Sequence, residues 1–403
     1  MIPAAILLAA VLAPLASLAA PATKPANQCT LCHPDVRVQF DRSRHRAEEV
    51  RCTACHGGDP LALKVETAHA GDFRGIPKRR DIPSLCSSCH SDVERMRGYN
   101  LPTDQFALYQ TSRHGQLLAK GDEKVAVCTD CHGAHEILPP DDPRSSVSVR
   151  NIPKTCGGCH SDAARMSPYG LKEDPVAEFS AGVHGKMLLE KGNLSAPDCT
   201  RCHGAHGAAP PGVGDVDRIC GQCHTTTRAF FLEGPHKEAM DRAGLPECAS
   251  CHGHHRIQPA EIGMLDTVCL ECHAKGSAQE RLSNEMKTLY SRASEEIESA
   301  RALVDRAATI PLYVEDYRAR LEEARTTLLE SLPVTHSLNL SRVEDLTSRA
   351  RTIAHQVQSE LSGKLEGRKW RHVGLLLFWF YLLLTIVILL RFRRRAVSEA
   401  ARR

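Results

Sequence analysis

Cysteine and histidine recur in this 403-residue chain in one fixed arrangement. All 18 cysteines lie in Cys-x-x-Cys pairs, and a histidine directly follows each of the nine pairs. Two thiols at this spacing can form thioether bonds to the vinyl groups on one porphyrin edge, and the adjacent histidine can bind the iron from one face. The cysteines are Cys29, Cys32, Cys52, Cys55, Cys86, Cys89, Cys128, Cys131, Cys156, Cys159, Cys199, Cys202, Cys220, Cys223, Cys248, Cys251, Cys269 and Cys272, and the histidines are His33, His56, His90, His132, His160, His203, His224, His252 and His273.

Two other kinds of site also use Cys-x-x-Cys pairs, namely zinc sites and thioredoxin-like redox pairs. Neither kind requires a histidine directly after the second cysteine. Its presence after every pair favours c-type haem attachment. We therefore predict nine covalently bound c-type haems, each with its motif histidine as proximal iron ligand.

Further histidines recur in register with the motifs. Three repeats read as a leading histidine, then Cys-x-x-Cys-His-Gly-x-His, then a second Cys-x-x-Cys-His, and a degenerate repeat precedes them. Neutral imidazoles on both faces of a haem give six-coordinate iron suited to electron transfer. The candidate distal ligands are therefore His45, His69, His114, His135, His184, His206, His236 and His255.

These eight candidates leave one of the nine irons without a distal ligand. A histidine three residues after a proximal ligand cannot reach the opposite face of the same haem, so we expect the trailing histidines to bind neighbouring haems. His254 stands where the other repeats have alanine, which favours a role beside His255 rather than as a ligand. We predict that His336 is the ninth distal ligand, with a simple loop histidine as the alternative.

The predicted fold is mainly α. In the haem region, residues 27–275, the stretch from Cys29 to His273 provides about 27 residues per motif, so we expect short helices and loops packed around stacked haems rather than an ordinary hydrophobic core. Heptad-patterned residues in the range 276–366 predict a helical hairpin or three-helix antiparallel bundle, punctuated by Pro311 and Pro333. A capping box at Ser341 is expected to begin the third helix.

Two apolar segments bear on location. Residues 373–390 carry no charge and predict one transmembrane helix, and the arginines in residues 391–403 predict a cytoplasmic tail. Residues 1–19 are typical of a signal peptide, although they contain no Lys or Arg, and a retained membrane helix is the alternative. Because haem is joined to such motifs outside the cytoplasm, we expect an extracytoplasmic haem domain, on the periplasmic or extracellular side, with a C-terminal anchor in the lipid bilayer.

The charge of the chain does not indicate a nucleic-acid partner. The formal net charge is +3, but residues 391–403 hold six arginines against one acid, Glu399. Each predicted haem also adds two propionates, so the exported part is expected to be acidic.

The Ser-x-His-Gly and Cys-x-x-Cys-His-Gly-x-His units resemble those of membrane-anchored periplasmic multihaem c-type cytochromes over roughly residues 27–275. That group includes the quinol-oxidising anchors of nitrite and nitrate reductases and the tetrahaem cytochrome of ammonia oxidisers. The resemblance implies an electron relay between a membrane quinol-linked or cytochrome b-type partner and other extracytoplasmic cytochromes or reductases. Those quinol oxidisers usually carry an N-terminal anchor, so the C-terminal position here favours docking to a separate membrane partner.

Two other functions remain open from the sequence. One is a multihaem oxidoreductase with a single open-site haem that acts on a small nitrogen or sulfur oxyanion, and the other is a structural module with inert haems. The lysine-ended motif of some such enzymes is absent here, and we assign no catalytic residue. His355 is expected to be structural, and His372 either interfacial or part of a quinol site.

Overall fold

The computed structural model describes residues 27–171, 173–207 and 216–401. The described residues are mostly helical and contain no β-strand, so the expected mainly α fold is confirmed. The chain divides into two compact units, residues 1–212 and 213–403. The predicted signal peptide lies outside the described residues.

The first unit consists of short helices joined by loops. Its longest helices have nine residues and end at a motif histidine. The α-helices are α1 Cys29–Cys32, α2 Pro34–Phe40, α3 Arg44–Ala47, α4 Cys52–His56, α5 Val65–Ala68, α6 Ile82–His90, α7 Val93–Arg97, α8 Gln105–Thr111, α9 Arg113–Ala119, α10 Cys128–His132, α11 Ile152–His160, α12 Ala163–Met166, α13 Pro175–Ala181, α14 Val183–Gly185 and α15 Cys199–His203; 3-10 turns span Arg79–Asp81 and Ser167–Tyr169, and a π-helical turn spans Lys186–Glu190.

The second unit begins with short elements and ends with three long helices. Its α-helices are α16 Thr225–Glu233, α17 His236–Ala243, α18 Ala249–His252, α19 Ala278–Ala308, α20 Glu315–Val334 and α21 Leu340–Ala400; 3-10 turns span Val216–Gln222, Ile262–Asp266, Val268–Glu271 and Thr335–Ser337.

Buried apolar side chains are few in the described part of the first unit. The largest cluster there joins Leu118, Val125 and Val127, with Tyr109 and Ile82 among the side chains packed against it. So small a cluster cannot by itself organise a unit of this length. The predicted porphyrins would supply the missing apolar packing.

The helices α19, α20 and α21 share one apolar cluster that includes Ala300, Leu321 and Val357. Arg301 and Arg318 pair with Glu322 and Asp305 across α19 and α20, at 4.0 and 3.7 Å, so these two helices run antiparallel. The pair Arg320–Glu360 at 2.9 Å and the Lys364 ammonium 5.0 Å from the Tyr317 ring centre give the same relation between α20 and α21.

Two details of the helix ends differ from expectation. The capping box at Ser341 is wrong, because α21 begins at Leu340 and the Asn339 side chain accepts the hydrogen bond from the Arg342 backbone N–H at 3.3 Å. Pro333 lies inside α20, in its last turn, rather than after it. Pro333 has no N–H to donate within the helix, and the neighbouring Val334 is buried with Met286 and Val343.

The apolar segment 373–390 is continuous with α21. Most of its large side chains, such as Leu376, Trp379 and Leu389, are exposed. This helix is long and apolar enough to cross a membrane, and none of its most apolar stretch is buried inside the described structure. The structure therefore agrees with the prediction of one membrane-anchoring helix near the C-terminus.

Candidate haem-binding site

Each motif begins on or directly beside a short helical turn. In α4, α10 and α15 the turn begins at the first cysteine and ends at the histidine. Residues three and four apart share one face of a helix, so both thiols and the imidazole project to the same side. No disulfide joins any of the 18 cysteines, all of which lie in the described residues.

A glycine directly after the histidine ends the turn in the four Cys-x-x-Cys-His-Gly motifs. Gly57 has φ 69°, and a Cβ there would meet the Asp72 carbonyl oxygen at 2.2 Å. Gly133, Gly204 and Gly253 share the positive φ. Only glycine adopts this backbone without strain, so it allows the chain to leave the haem edge directly after the ligand.

The Ser-x-His-Gly unit positions a leading histidine by a cap and a close helix contact. The buried Ser112 side chain accepts a hydrogen bond from the Gly115 N–H at 3.1 Å and donates one to the Tyr109 carbonyl at 2.6 Å. A Cβ on Gly115 would lie 2.1 Å from the Tyr109 carbonyl oxygen. This contact fixes the start of α9, and with it His114, against α8.

The histidines approach one another in pairs. Seven pairs, each joining a motif histidine to a predicted distal ligand, have ring centres 6.0 to 6.3 Å apart. They are His33–His69, His45–His90, His56–His135, His114–His160, His132–His206, His236–His273 and His252–His336.

The separation of these pairs matches two imidazoles on opposite sides of one metal ion. Two metal–nitrogen bonds of about 2 Å each, as for zinc, and half the width of each ring add up to roughly 6 Å between ring centres. Two other ring contacts that involve a histidine are closer, at 4.1 Å for His69–Phe73 and 4.8 Å for His254–His255. The angle between the paired rings varies from 8° to 55° while the separation stays constant, as expected when rings can rotate about a shared ligand axis.

The pairs follow the repeat. A leading histidine lies opposite the second motif of its own repeat, as for His114 and His160. A trailing histidine lies opposite the central motif of the preceding repeat, as for His206 and His132. The trailing histidines would thus join successive repeats.

His336 lies opposite His252, the central motif histidine of the last repeat. No further repeat follows, so the 3-10 turn Thr335–Ser337 provides this histidine in place of a trailing one. The His336 Nδ1 atom lies 3.1 Å from the Pro333 carbonyl oxygen, which leaves Nε2 to face His252. The His56 Nδ1 atom is oriented similarly, 2.8 Å from the Gly75 carbonyl oxygen.

Burial favours the metal-binding form of these rings. It lowers the pKa of most of the paired histidines, because desolvation disfavours the charged imidazolium. Neutral imidazole is the form that binds a metal ion. The histidines with a pKa lowered in this way are His45, His90, His114, His132, His135, His160, His206, His236, His252 and His336.

Consecutive motifs are neighbours within each unit. Thiols of successive motifs lie close enough to interact electrostatically, so the haem edges that they would hold are adjacent. The pairs are Cys29–Cys52, Cys55–Cys89, Cys86–Cys128, Cys131–Cys156 and Cys156–Cys199 in the first unit, and Cys220–Cys248 and Cys251–Cys269 in the second.

The remaining predicted ligands also make interactions of their own, namely His184, His203, His224 and His255. His254 stacks edge-on against His255. The His355 Nε2 atom lies 2.9 Å from the Glu296 carboxylate, and His372 accepts a hydrogen bond from Arg368 at 3.3 Å.

Two arginines beside the motifs were not anticipated from the sequence. Arg95 and Arg165 donate hydrogen bonds to the Cys89 and Cys159 sulfur atoms at 2.8 and 2.9 Å. Both follow the second motif of their repeats, in the segments Asp92–Met96 and Asp162–Met166, so their common position was the available signal. A guanidinium there would place positive charge at the haem edge.

Comparisons with known proteins agree with this geometry. The family model for "Cytochrome c3" matches residues 44–161, and that for the "Doubled CXXCH motif" matches residues 192–229. The chain is 25% identical over 183 residues to the "Multiheme cytochrome MtrA" of Shewanella baltica (strain OS185), an alignment that covers 40% of this chain and 54% of that protein. It is 36% identical over 55 residues to "Cytochrome c3" of Desulfuromonas acetoxidans, covering 13% of this chain and 79% of that protein. The chain thus spans about half the length of MtrA, and no solved structure matches it.

Proposed function

The chain is a multihaem c-type cytochrome that carries a cytochrome c3 domain, and from this premise we propose that it relays electrons outside the cytoplasm through nine bis-histidine haems. Multihaem electron transfer follows from the family, whereas the number of haems, their ligands and the partners belong to the proposal. The observation that carries it is the constant separation of 6.0 to 6.3 Å between seven pairs of histidine rings.

The chain's residues fit the haem at each of these pairs. The two motif cysteines would hold the porphyrin edge, and the two imidazoles would hold the iron from both faces. A bound c-type haem transfers single electrons by alternating between ferric and ferrous iron. His184 and His255 are the remaining candidate distal ligands.

The order of the motifs supports a relay rather than isolated redox sites. Contacts between successive thiols, such as Cys86 with Cys128 and Cys220 with Cys248, would bring each haem edge next to the following one. Short gaps between centres allow rapid electron exchange. Electrons would therefore pass along the motifs in chain order within each unit.

We further propose that α19, α20 and the first part of α21 form a three-helix bundle. Residues 373–390 would anchor the chain in the lipid bilayer, with residues 391–403 in the cytoplasm and the haem domain in the periplasm. The partners would be a quinol-linked or cytochrome b-type membrane protein and other extracytoplasmic cytochromes or reductases.

Electron paramagnetic resonance of the oxidised holoprotein tests the proposed ligation. Two strong-field imidazoles on every iron should give low-spin ferric signals that account for all of the haem. Integration against a bis-histidine cytochrome standard checks this expectation. A high-spin signal amounting to one haem or more per chain would contradict the proposal.

A further inference from the structure

We infer that the three long helices are a spacer that holds the haems of His252 and His273 far above the membrane. Their redox partner is then a protein domain that stands in the aqueous space, not a quinol in the bilayer. This inference rests on the proposed function and adds the kind of partner that these haems can reach.

The base of the spacer is fixed to the haem-bearing part of the second unit. Met286, Val334 and Val343, one from each long helix, form a buried cluster against which Phe230 and Leu265 pack. These last two side chains belong to the short elements around the motifs. The base is therefore a packed interface rather than a hinge.

Polar contacts reinforce this base. Arg342 pairs with Glu233 at the end of α16, and Lys287 pairs with Asp266 beside the last motif. The turn that carries His336 lies against α16 so closely that a Cβ on Gly234 would be 2.7 Å from the His336 carbonyl oxygen. The His252–His336 pair thus belongs to the base of the three helices.

The distance to the membrane follows from helix geometry. From Val343 at the base to Val373 at the start of the apolar segment, α21 runs without interruption. These thirty residues extend about 45 Å at 1.5 Å per residue. An average tilt of about 20° reduces the height only to roughly 42 Å.

The spacer is stiff over most of this length. Buried side chains from α19 and α20 pack along α21 as far as Leu361, and Leu365 packs against the same cluster. The lipid headgroup layer covers only about 5–8 Å on each side of the apolar core. A gap of roughly 35 Å therefore remains between the headgroups and the base of the helices.

Such a gap decides between a lipid-dissolved donor and a protein donor. The rate of electron tunnelling falls exponentially with distance. A quinol confined to the bilayer therefore cannot reduce these two haems directly at a useful rate across this gap. A partner protein that holds its own cofactor at that height can reduce them. The length of the spacer therefore favours a separate extracytoplasmic redox domain as the partner of these haems.

Electron cryomicroscopy of the full-length holoprotein in lipid nanodiscs measures the spacing directly. The iron of the His252–His336 site should lie about 40 Å from the apolar boundary of the bilayer. An iron within a few ångströms of the headgroups would overturn the inference. The same map shows whether both imidazoles bind that iron, so failure of the proposed ligation is seen separately from failure of the spacing.

Reduction kinetics in vesicles test the consequence. We expect slow reduction of the haems of His252 and His273 in the wild type by a long-tailed quinol in the membrane, and fast reduction of the same two haems by a water-soluble donor. A flexible Gly/Ser insertion of about 20 residues after Gly367 should raise the rate with quinol by roughly tenfold or more, because it lets the haem unit reach the surface. A helical insertion of equal length serves as the matched control and should leave the quinol rate at or below the wild-type value. Wild-type reduction by quinol as fast as that of the flexible variant would overturn the inference.

Discussion

Replacing His336 with alanine is expected to produce a holoprotein with one high-spin haem that binds carbon monoxide or cyanide. The physical reason is that His336 lies opposite His252 with ring centres 6.1 Å apart, and removal of a distal imidazole opens one coordination position. The other eight haems should keep their low-spin spectra, and the wild type should bind neither ligand appreciably. Optical difference spectra with carbon monoxide measure the number of open sites.

His355→Ala is the matched control for this variant. His355 lies on α21 and pairs with Glu296 away from the ring pairs, so its loss should leave every haem unchanged. If the wild type already had one ligand-binding haem and His336→Ala looked the same, His336 would not be a ligand. The open-site oxidoreductase would then become the better explanation of the chain.

Truncation before Lys369 is expected to release the haem protein from the membrane in soluble form. The cut removes the exposed apolar segment 373–390, which belongs to the one helix of the described residues that is long and apolar enough to cross a membrane. It leaves the apolar cluster of α19, α20 and α21 intact, since Leu361 and Leu365 precede the cut. Fractionation followed by haem staining measures the release.

A cut after Ser398 provides the control for that truncation. It keeps the apolar segment and the arginines that follow it directly, so the protein should stay in the membrane fraction. Continued membrane retention of the shorter protein would show that another segment anchors it. An uncleaved helix within residues 1–19 would be the first candidate.

The haem type and the helical fold were predictable because both depend on local sequence. Cys-x-x-Cys-His places two thioether-forming thiols and one iron ligand on one helical turn, and no distant residue is needed to recognise it. The family matches over residues 44–161 and 192–229 agree with that interpretation.

The pairing of the histidines was not predictable in the same way. His56 lies opposite His135, and His132 opposite His206, so each pair depends on how one repeat packs on the next. Local geometry could only exclude ligation of a haem by the trailing histidine of its own motif. The identity of the neighbour is a property of the tertiary structure.

The exact ends of the long helices were also not predictable from local sequence. Ser341 and the acid three residues later match the capping pattern, yet Asn339 caps α21 because the chain reverses at Leu338, which has φ 53°. Pro333 matches a helix stop, yet α20 continues to Val334, which is buried against Met286 and Val343. In both places, packing at the base of the long helices decides where the helix begins or ends.

The most direct test of nine haems in one chain is the intact mass of the purified holoprotein made in a host that matures c-type cytochromes. Because every one of the 18 cysteines belongs to a motif, each pair should carry one thioether-bound haem. The expected mass is that of the polypeptide after signal removal plus nine haem masses. A fully matured protein with seven or fewer haems would contradict it.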